Sequence, residues 1–152
     1  MITDGHLDEL KEIFVKHGVV LAYLFGSQAE GTARRSSDVD IAVLLPPGAS
    51  RDRQFDVRLS MTNELMGVFH KDVDVAVLNY IGALLAYEVV QHGILLYEDA
   101  LVQPRQEFVV FATLYYADTA HFRRLAMKYL GEDIERRRLQ RAERVLREKS
   151  DG

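Results

Sequence analysis

The sequence predicts an α/β (α+β) protein in which a small mixed β-sheet packs against helices. Short apolar segments rich in β-branched residues alternate with longer segments whose apolar residues follow helical spacing. Such alternation is typical of a sheet covered by helices. The chain has 152 residues, 48% of them hydrophobic, and no cysteine. We therefore expect one domain whose core needs no disulfide.

Four strands and four helices are predicted from these segments. The predicted strands cover residues 19–25, 38–45, 72–78 and 94–97, the last at an edge of the sheet. The predicted helices lie around residues 7–14, 51–68, 81–90 and 105–130. Thr3 or Asp4 is expected to cap the first helix. Residues 1–100 form the predicted core, and residues 101–152 add a long helix and a charged tail, separated at Gly131, to the same domain.

Charge and hydropathy argue against several classes of protein. The net charge of −4 provides no overall basic field, so we expect no stable binding of nucleic acid. No apolar run approaches 18 residues, and the start lacks a signal-peptide pattern. We therefore predict no membrane span and, without cysteine, a cytoplasmic protein. Residues 132–149 carry seven basic and five acidic side chains. This arginine-rich tail is interpreted as an exposed helix with charge pairs, and a binding tail is the alternative.

Aspartates occupy alternate positions in two of the predicted apolar strands. Asp38 and Asp40 belong to one strand, and Asp72 and Asp74 belong to another. Because strand side chains alternate with a period of two, each pair points to one face. Partly buried carboxylates need a compensating charge, and Mg²⁺ is commonly held by one or two carboxylates plus substrate phosphates. The pattern predicts a Mg²⁺ site, in which two ions roughly 3.5–4 Å apart would suit phosphoryl displacement.

Gly26 and Ser27 are candidate phosphate ligands. They follow the first predicted strand and precede a predicted helical turn through residues 28–30. A helix start offers unpaired backbone N–H groups to phosphate, and glycine lets the phosphate approach the backbone closely. The serine hydroxyl adds another donor. The order strand, Gly-Ser and helical turn therefore predicts a phosphate-binding loop.

The spacing of these motifs resembles a known signature. Residues 25–40 have the sequence FGSQAEGTARRSSDVD, in which ten residues separate Gly-Ser from Asp-x-Asp. This is similar to the GS-x10-DxD motif of the DNA polymerase β-like nucleotidyltransferase superfamily, and the full run resembles its minimal nucleotidyltransferases (MNT). Residues 73–79 (VDVAVLN) resemble the strand of the third acid, and residues 87–98 (YEVVQHGILLYE) resemble the closing helix and strand.

The resemblance covers roughly residues 7–100 and implies the polymerase β-like fold, ATP as substrate and Mg²⁺ as cofactor. The implied triphosphate ligands are Gly26 and Ser27. The implied catalytic and Mg²⁺-binding residues are Asp38, Asp40 and Asp74. The first two would ligate both ions, and the third would complete the site and help to deprotonate the acceptor hydroxyl.

Minimal nucleotidyltransferases are often the antitoxin of HEPN–MNT toxin–antitoxin pairs. The resemblance therefore implies transfer of AMP from ATP to a tyrosine of a HEPN ribonuclease, with which the chain would form a complex. The chain lacks the Arg-x4-6-His motif of HEPN ribonucleases, so we expect the toxin to be a separate protein. This interpretation is compatible with a homo-oligomer or a hetero-oligomer. One alternative is the same chemistry on a small molecule or another protein. The other is a non-catalytic antitoxin that neutralises its partner by binding.

Several other polar residues have more than one interpretation. Asp72 shares the predicted face of Asp74 and is the alternative third acid, but Asp74 lies deeper in the strand and is favoured. Arg34 and Arg35 precede the acids and would either steer triphosphate or be ordinary exposed loop charges. His92 is interpreted as a favourable charge at a helix end, and the histidines show no metal-binding spacing.

Overall fold

The computed structural model describes the backbone of residues 4–150 and the side chains of residues 5–141. The helices are α1 (Asp4–Lys16), α2 (Gly26–Ala29), α3 (Arg51–Phe69), α4 (Ala83–His92), α5 (Arg105–Asp118) and α6 (Ala120–Ser150). The strands are β1 (Leu21–Phe25), β2 (Val39–Leu44), β3 (Val73–Val77) and β4 (Ile94–Glu98), and a 3-10 turn (Leu78–Tyr80) follows β3. The four predicted strands are confirmed, with slightly displaced ends. The predicted cap Thr3 lies outside the described residues, and Asp4 is the first residue of α1.

The four strands form one mixed sheet in the order β3-β2-β1-β4. β1 pairs antiparallel with β2 and with β4, whereas β2 and β3 run parallel. The predicted mixed sheet and the edge position of β4 are therefore confirmed. β3 forms the opposite edge of the sheet. Side chains of α3, the helix that precedes β3, can therefore contact side chains of β3 around this edge.

Alternate residues of the strands face different layers of helices, as a period of two predicts. On one face, Val39, Ile41 and Val43 pack in a buried cluster with residues of α1 and α3. On the other face, Ala42 packs with buried residues of α4 and α5. Asp40 lies two residues before Ala42, so its carboxylate belongs to this second face, close to the start of β2.

α3 buries one side and exposes the other. Its buried residues are Gln54, Val57, Met61 and Leu65. Helical spacing groups three further apolar residues on one side, and that side faces solvent: the exposed fractions are 64% for Phe55, 55% for Leu59 and 38% for Met66. The apolar pattern therefore identified the helix, but the side that contacts the sheet is a different one.

The predicted separation of a helix over residues 105–130 from the tail at Gly131 is wrong. The helical region divides at Thr119, and α6 continues through Gly131 to Ser150. An isolated glycine inside a helix costs only about 1 kcal/mol relative to alanine, so it does not have to end the helix. At Thr119 a new helix begins, because its carbonyl accepts a hydrogen bond from the backbone N–H of Arg123 at 3.0 Å.

The chain forms two compact units, one through Tyr116 and one from Ala117 onward. The first unit contains the sheet and the helices packed on it, and the second contains α6. The predicted division into a core of residues 1–100 and an attached region of residues 101–152 within one domain stays a prediction.

Charged side chains of α6 pair along the helix. Arg137 and Arg136 lie 2.8 and 3.6 Å from Asp133, and Arg138 lies 3.9 Å from Glu135. Such pairs, three or four residues apart, agree with the interpretation of the tail as an exposed charged helix. The tail's side chains beyond residue 141 lie outside the described residues. In the part of the chain that the structure describes, no helix has the length and apolarity needed to cross a membrane.

Asn79 fastens the end of β2 to the chain that follows β3. Its Oδ1 accepts a hydrogen bond from the backbone N–H of Leu45 at 2.9 Å, and its Nδ2 donates to the carbonyl of Leu45 at 2.8 Å. These bonds extend the parallel pairing beyond its last register pair, Val43 with Val77. They therefore help to hold the register on which the position of the aspartates depends.

Glu64 links α3 to the end of α1 through contacts that depend on pH. Its Oε1 accepts a hydrogen bond from Lys16 Nζ at 2.9 Å and lies 3.0 Å from His17 Nε2. These two hydrogen bonds lower the pKa of Glu64. A carboxylate with a lowered folded-state pKa stabilises the protein above its unfolded-state pKa and loses this contribution as the pH falls through the folded-state pKa.

We expect Glu64→Gln to lower the free energy of unfolding at neutral pH by about 1 kcal/mol or less, because the group is partly exposed to solvent. The loss should disappear once the pH falls below the folded-state pKa of Glu64. Urea denaturation at neutral and acidic pH would measure both values. The exposed Glu9 of α1 offers a control, Glu9→Gln, for which no such pH-dependent loss is expected. An equal loss at both pH values would contradict the assignment.

Candidate active site

Three predicted site residues come together at one end of the sheet. Asp40 and Asp74 are register partners in the parallel pair β2–β3, and neighbouring strands lie about 4.7–4.9 Å apart. Asp38 immediately precedes β2. Phe25, the last residue of β1, is the partner of Asp40 on the other side. The loop that begins at Gly26 therefore starts directly beside the aspartates.

The carboxylates of this cluster influence one another. Burial, followed by the negative charges of Asp74 and Asp38, raises the pKa of Asp40 above its ordinary value of 3.8. Asp40 is half-buried, whereas Asp38 and Asp74 are exposed. Like charges around a partly desolvated carboxylate favour its neutral form unless a cation compensates them. The cluster is therefore a place where a bound cation would be stabilised.

Two features of Gly26 make a larger residue unfavourable at its position. Its φ angle is +65°, in the left-handed region that glycine adopts without a steric penalty. A Cβ atom on Gly26 would lie 2.4 Å from Oδ2 of Asp40, well inside van der Waals contact. The loop backbone thus passes directly against the Asp40 carboxylate. A larger residue would have to displace one of them.

Gly26 and Ser27 are the first two residues of the short helix α2, so the helical turn predicted for residues 28–30 begins two residues earlier and ends at Ala29. The backbone N–H groups of Glu30 and Thr32 donate to the carbonyls of Gly26 and Ser27, each at 3.1 Å. No side chain caps the start of α2. Its first backbone N–H groups therefore remain available to an external acceptor. Ser27 is half-buried at this position.

The loop between α2 and β2 ends in a turn that leads into the aspartates. The backbone N–H of Arg34 donates to Ser37 Oγ at 2.8 Å, and the N–H of Ser37 donates to the carbonyl of Arg34 at 3.0 Å. Arg34 and Arg35 are both exposed. Their position beside Asp38 is compatible with steering of triphosphate and with an ordinary loop charge.

Asp72, the alternative third acid, lies outside β3. Its backbone carbonyl accepts a hydrogen bond from Val39 at 2.9 Å, and its side chain is exposed. The two charges that raise the pKa of Asp40 are those of Asp74 and Asp38, and the charge of Asp72 is not one of them. The structure therefore favours Asp74 as the third member of the cluster.

Arg58 is a neighbour of the site that the sequence analysis missed. Its Nη2 donates a hydrogen bond to Oδ1 of Asp74 at 3.2 Å, from α3 to β3. Phe55, Leu59 and Thr62 lie beside the same contact. Helical spacing could have shown that these four residues share a side of α3. Nothing local in the sequence indicates that this side lies next to Asp74.

The donor set fits a hard divalent cation such as Mg²⁺. Asp38, Asp40 and Asp74 offer carboxylate oxygens, and burial, followed by the charges of its two neighbours, raises the pKa of Asp40. Across the described residues, no three His, Cys, Asp or Glu side chains lie close enough to hold an ion by themselves. Mg²⁺ usually keeps waters and binds one or two carboxylates together with substrate phosphates. The arrangement therefore fits a cation that shares its ligands with a nucleotide.

A mixed sheet with a Gly-Ser loop against a row of carboxylates defines the class of nucleotidyltransferases with a polymerase β-like fold. The family described as "Polymerase beta, Nucleotidyltransferase" matches residues 8–100, more than half of the chain. The chain belongs to this family.

Two curated relatives align with the same region. The protein adenylyltransferase MntA of Shewanella oneidensis is 37% identical over 73 residues, which are 48% of this chain and 50% of the relative. A protein of Methanocaldococcus jannaschii, provisionally named a protein adenylyltransferase, is 33% identical over 93 residues, which are 59% of this chain and 96% of the relative. The chain thus matches only half the length of the first relative.

Solved structures share the fold over most of the chain. A chain from the crystal structure of a toxin–antitoxin with AMP-PNP superposes with a TM-score of 0.67 and 25% identity, covering 82% of this chain and 98% of that one. A chain from the complex of tri-AMPylated Shewanella oneidensis HEPN toxin with MNT antitoxin has a TM-score of 0.64 and 21% identity, covering 85% and 99%. The second likeness concerns the fold alone.

Proposed function

We propose that the chain catalyses Mg²⁺-dependent transfer of AMP from ATP to a tyrosine hydroxyl of a HEPN-type ribonuclease toxin, and thereby acts as its antitoxin. The observation that carries this proposal is the pairing of Asp40 with Asp74 beside Gly26. This arrangement brings oxygen ligands for cations next to a loop suited to phosphate. Membership of the nucleotidyltransferase family supports the type of reaction.

Each residue of the site has a role in this proposal. Asp38 and Asp40 would hold two Mg²⁺ ions together with phosphate oxygens, and Asp74 would complete the site. When bound, the ions neutralise the charge of the triphosphate and of the leaving group. The backbone N–H groups at Gly26 and Ser27, with the Ser27 hydroxyl, would hold the phosphates against the end of β1.

The proposed step is an in-line displacement at the α-phosphorus of ATP. A bond forms between the acceptor oxygen and the α-phosphorus, and the bond from the α-phosphorus to the bridging oxygen breaks as pyrophosphate leaves. Asp74 accepts the proton of the hydroxyl, because it is exposed on the edge strand β3 where an acceptor can approach. Most of the rate enhancement would come from positioning and electrostatic stabilisation.

The choice of nucleotide and acceptor is supported by similarity. Both curated relatives carry the name protein adenylyltransferase, and a toxin–antitoxin of similar fold contains the ATP analogue AMP-PNP. The minimal nucleotidyltransferase signature of residues 25–40 adds the link to HEPN toxins. These similarities favour a protein acceptor over a small molecule.

Intact mass spectrometry tests the proposal directly. The chain is co-expressed with a HEPN-type protein, and the mass of that protein is measured. We expect it to gain mass in whole AMP steps, with fragment spectra of its peptides locating the AMP on tyrosine, and to gain none when Asp38→Ala and Asp40→Ala are combined. Repetition in vitro with ATP and Mg²⁺, and with EDTA in place of Mg²⁺, tests the cation requirement.

Some outcomes would favour the non-catalytic alternative. Val110, Phe111 and Leu114 of α5 are more than half exposed and could contribute to a binding surface. A toxin that stays bound, unmodified and silent, with protection intact in the double alanine variant, would replace the enzymatic proposal by this one. AMP on a serine or threonine would retain the transfer and overturn the tyrosine assignment.

A further inference from the structure

We propose that the exposed side of α3 next to Asp74 is the binding site of the acceptor tyrosine, an inference that rests on the proposed transfer of AMP. The acceptor groove is formed by Phe55, Arg58, Leu59, Thr62 and Asp74, which line a cavity of about 240 Å³. It joins apolar surface to a carboxylate of the candidate active site.

The side of α3 that forms the groove is separate from the side that forms the core. Residues 55, 58, 59 and 62 follow the spacing i, i+3, i+4 and i+7, which defines one face of a helix. Phe55 is 64% exposed and Leu59 is 55% exposed, whereas the buried residues of α3 lie on another side. The core of the fold is therefore complete without these two large apolar side chains, which stay exposed beside a polar site.

The groove lies where an acceptor should approach. The sheet order β3-β2-β1 puts the Gly26 loop, at the end of β1, on one side of Asp40 and β3 on the other. Because β3 is an edge strand, α3 reaches Asp74 from beyond the sheet. A nucleotide held at the β1 loop and an acceptor held on α3 would meet at the aspartates from opposite directions, as an in-line displacement requires.

The chemistry of the groove fits a tyrosine side chain. A tyrosine ring can lie against Phe55 and Leu59 while its hydroxyl points to Asp74, which combines a large apolar contact with a polar end. Serine and threonine have no ring to use this surface. Sites for drug-sized molecules measure roughly 300–1,000 Å³, so a cavity of about 240 Å³ is better matched to a single side chain.

Arg58 borders the groove on α3. Its guanidinium donates a hydrogen bond to one oxygen of Asp74, Oδ1, at 3.2 Å. This contact connects the polar end of the groove to the candidate active site.

Steady-state kinetics with the HEPN-type protein as acceptor test the groove. We expect Phe55→Ala and Leu59→Ala each to lower kcat/KM for the acceptor about tenfold or more, mainly through a higher KM, because each removes apolar contact with the ring. The KM for ATP should stay unchanged. Phe55→Leu should recover much of the loss. Val15→Ala on α1, which truncates a side chain that is 56% exposed, is the matched control and should have no effect.

The outcomes separate this inference from the proposed function. If the wild type transfers AMP and both groove variants have an unchanged KM for the acceptor, the assignment of the groove as the acceptor site is wrong. The proposed transfer of AMP would still stand. A rise in the KM for ATP equal to that for the acceptor would also overturn the assignment of the groove, because the groove would then serve the nucleotide.

A binding experiment without catalysis tests the groove even if no transfer is found. N-acetyl-tyrosinamide is titrated into the methyl-labelled protein, and the Leu59 methyl resonances are followed by NMR. We expect saturable shifts at Leu59 that N-acetyl-serinamide does not produce and that Phe55→Ala abolishes. Unchanged Leu59 resonances, or equal shifts with both probes, would refute a tyrosine site on α3.

Discussion

Replacement of Asp40 by asparagine is expected to abolish nucleotidyl transfer while making the protein more stable. Asp40 stands between Asp74 on β3 and the Gly26 loop, and in the proposed mechanism it would ligate both cations. Metal ions contribute several kcal/mol of charge stabilisation, and each 1.36 kcal/mol corresponds to a factor of ten in rate. We therefore expect transfer to fall by about a thousandfold or more.

The gain in stability follows from the electrostatics of the folded site. Burial and the charges of Asp74 and Asp38 raise the pKa of Asp40 above 3.8. The folded state therefore holds the proton of the Asp40 carboxyl more tightly than the unfolded state does. The free energy of unfolding falls as the pH rises from the unfolded-state pKa through the folded-state pKa. At neutral pH the ionised Asp40 destabilises the fold in the absence of a cation. A neutral amide of the same shape removes that repulsion.

Thermal unfolding in EDTA and transfer assays in Mg²⁺ measure the two effects separately. We expect Asp40→Asn to raise Tm at neutral pH and to lose this advantage at a pH below the unfolded-state pKa. Asp72→Asn is the matched control, because Asp72 is exposed and does not raise the pKa of Asp40. It should leave both transfer and Tm close to the wild type. A lower Tm for Asp40→Asn would mean that its carboxylate is compensated within the fold, contrary to the proposed cation site.

Gly26→Ala should have the largest combined effect on stability and transfer. The positive φ angle of Gly26 disfavours alanine by about 1–2 kcal/mol. The added Cβ would also meet Oδ2 of Asp40 inside van der Waals contact, so either the loop or the carboxylate has to shift. Since relief of the clash displaces either the loop or the carboxylate, we expect transfer to be lost even in molecules that remain folded.

Gly31 provides the control that separates these two contributions. Its φ angle is +72°, but a Cβ there would meet no atom within 4 Å. Urea denaturation should show that Gly31→Ala lowers the free energy of unfolding only by the penalty for alanine at a positive φ angle. Gly26→Ala should lower it further. Combining Gly26→Ala with Asp40→Ala removes the clashing oxygen and should recover part of the difference. Equal losses for the two single glycine variants would show that the contact with Asp40 is unimportant for stability.

Local patterns were sufficient to predict most of the fold. β-branched apolar segments bounded by Gly26 and Pro46 identified the first two strands, because strand propensity and turn chemistry act over a few residues. The same patterns failed at Thr119 and Gly131. A glycine or a threonine can lie inside a helix or at its end, so the residue type alone does not show where the helix ends.

The sequence by itself determined the parts of the site that lie within one segment. Gly26, Ser27, Asp38 and Asp40 belong to a single run whose spacing sets a loop before a strand, and a period of two puts the two aspartates on one face. This information is local and therefore readable without the fold. It was also sufficient to indicate the nucleotidyltransferase family.

Only the tertiary structure decided how the remaining residues meet. The register of β2 with β3 puts Asp74 opposite Asp40, and a shift of one residue would have turned it to the other face. The rotation of α3 about its axis turns Phe55 and Arg58 toward Asp74, because Val57, Met61 and Leu65 occupy the core. Both choices depend on packing between distant segments, which no local pattern in the sequence contains.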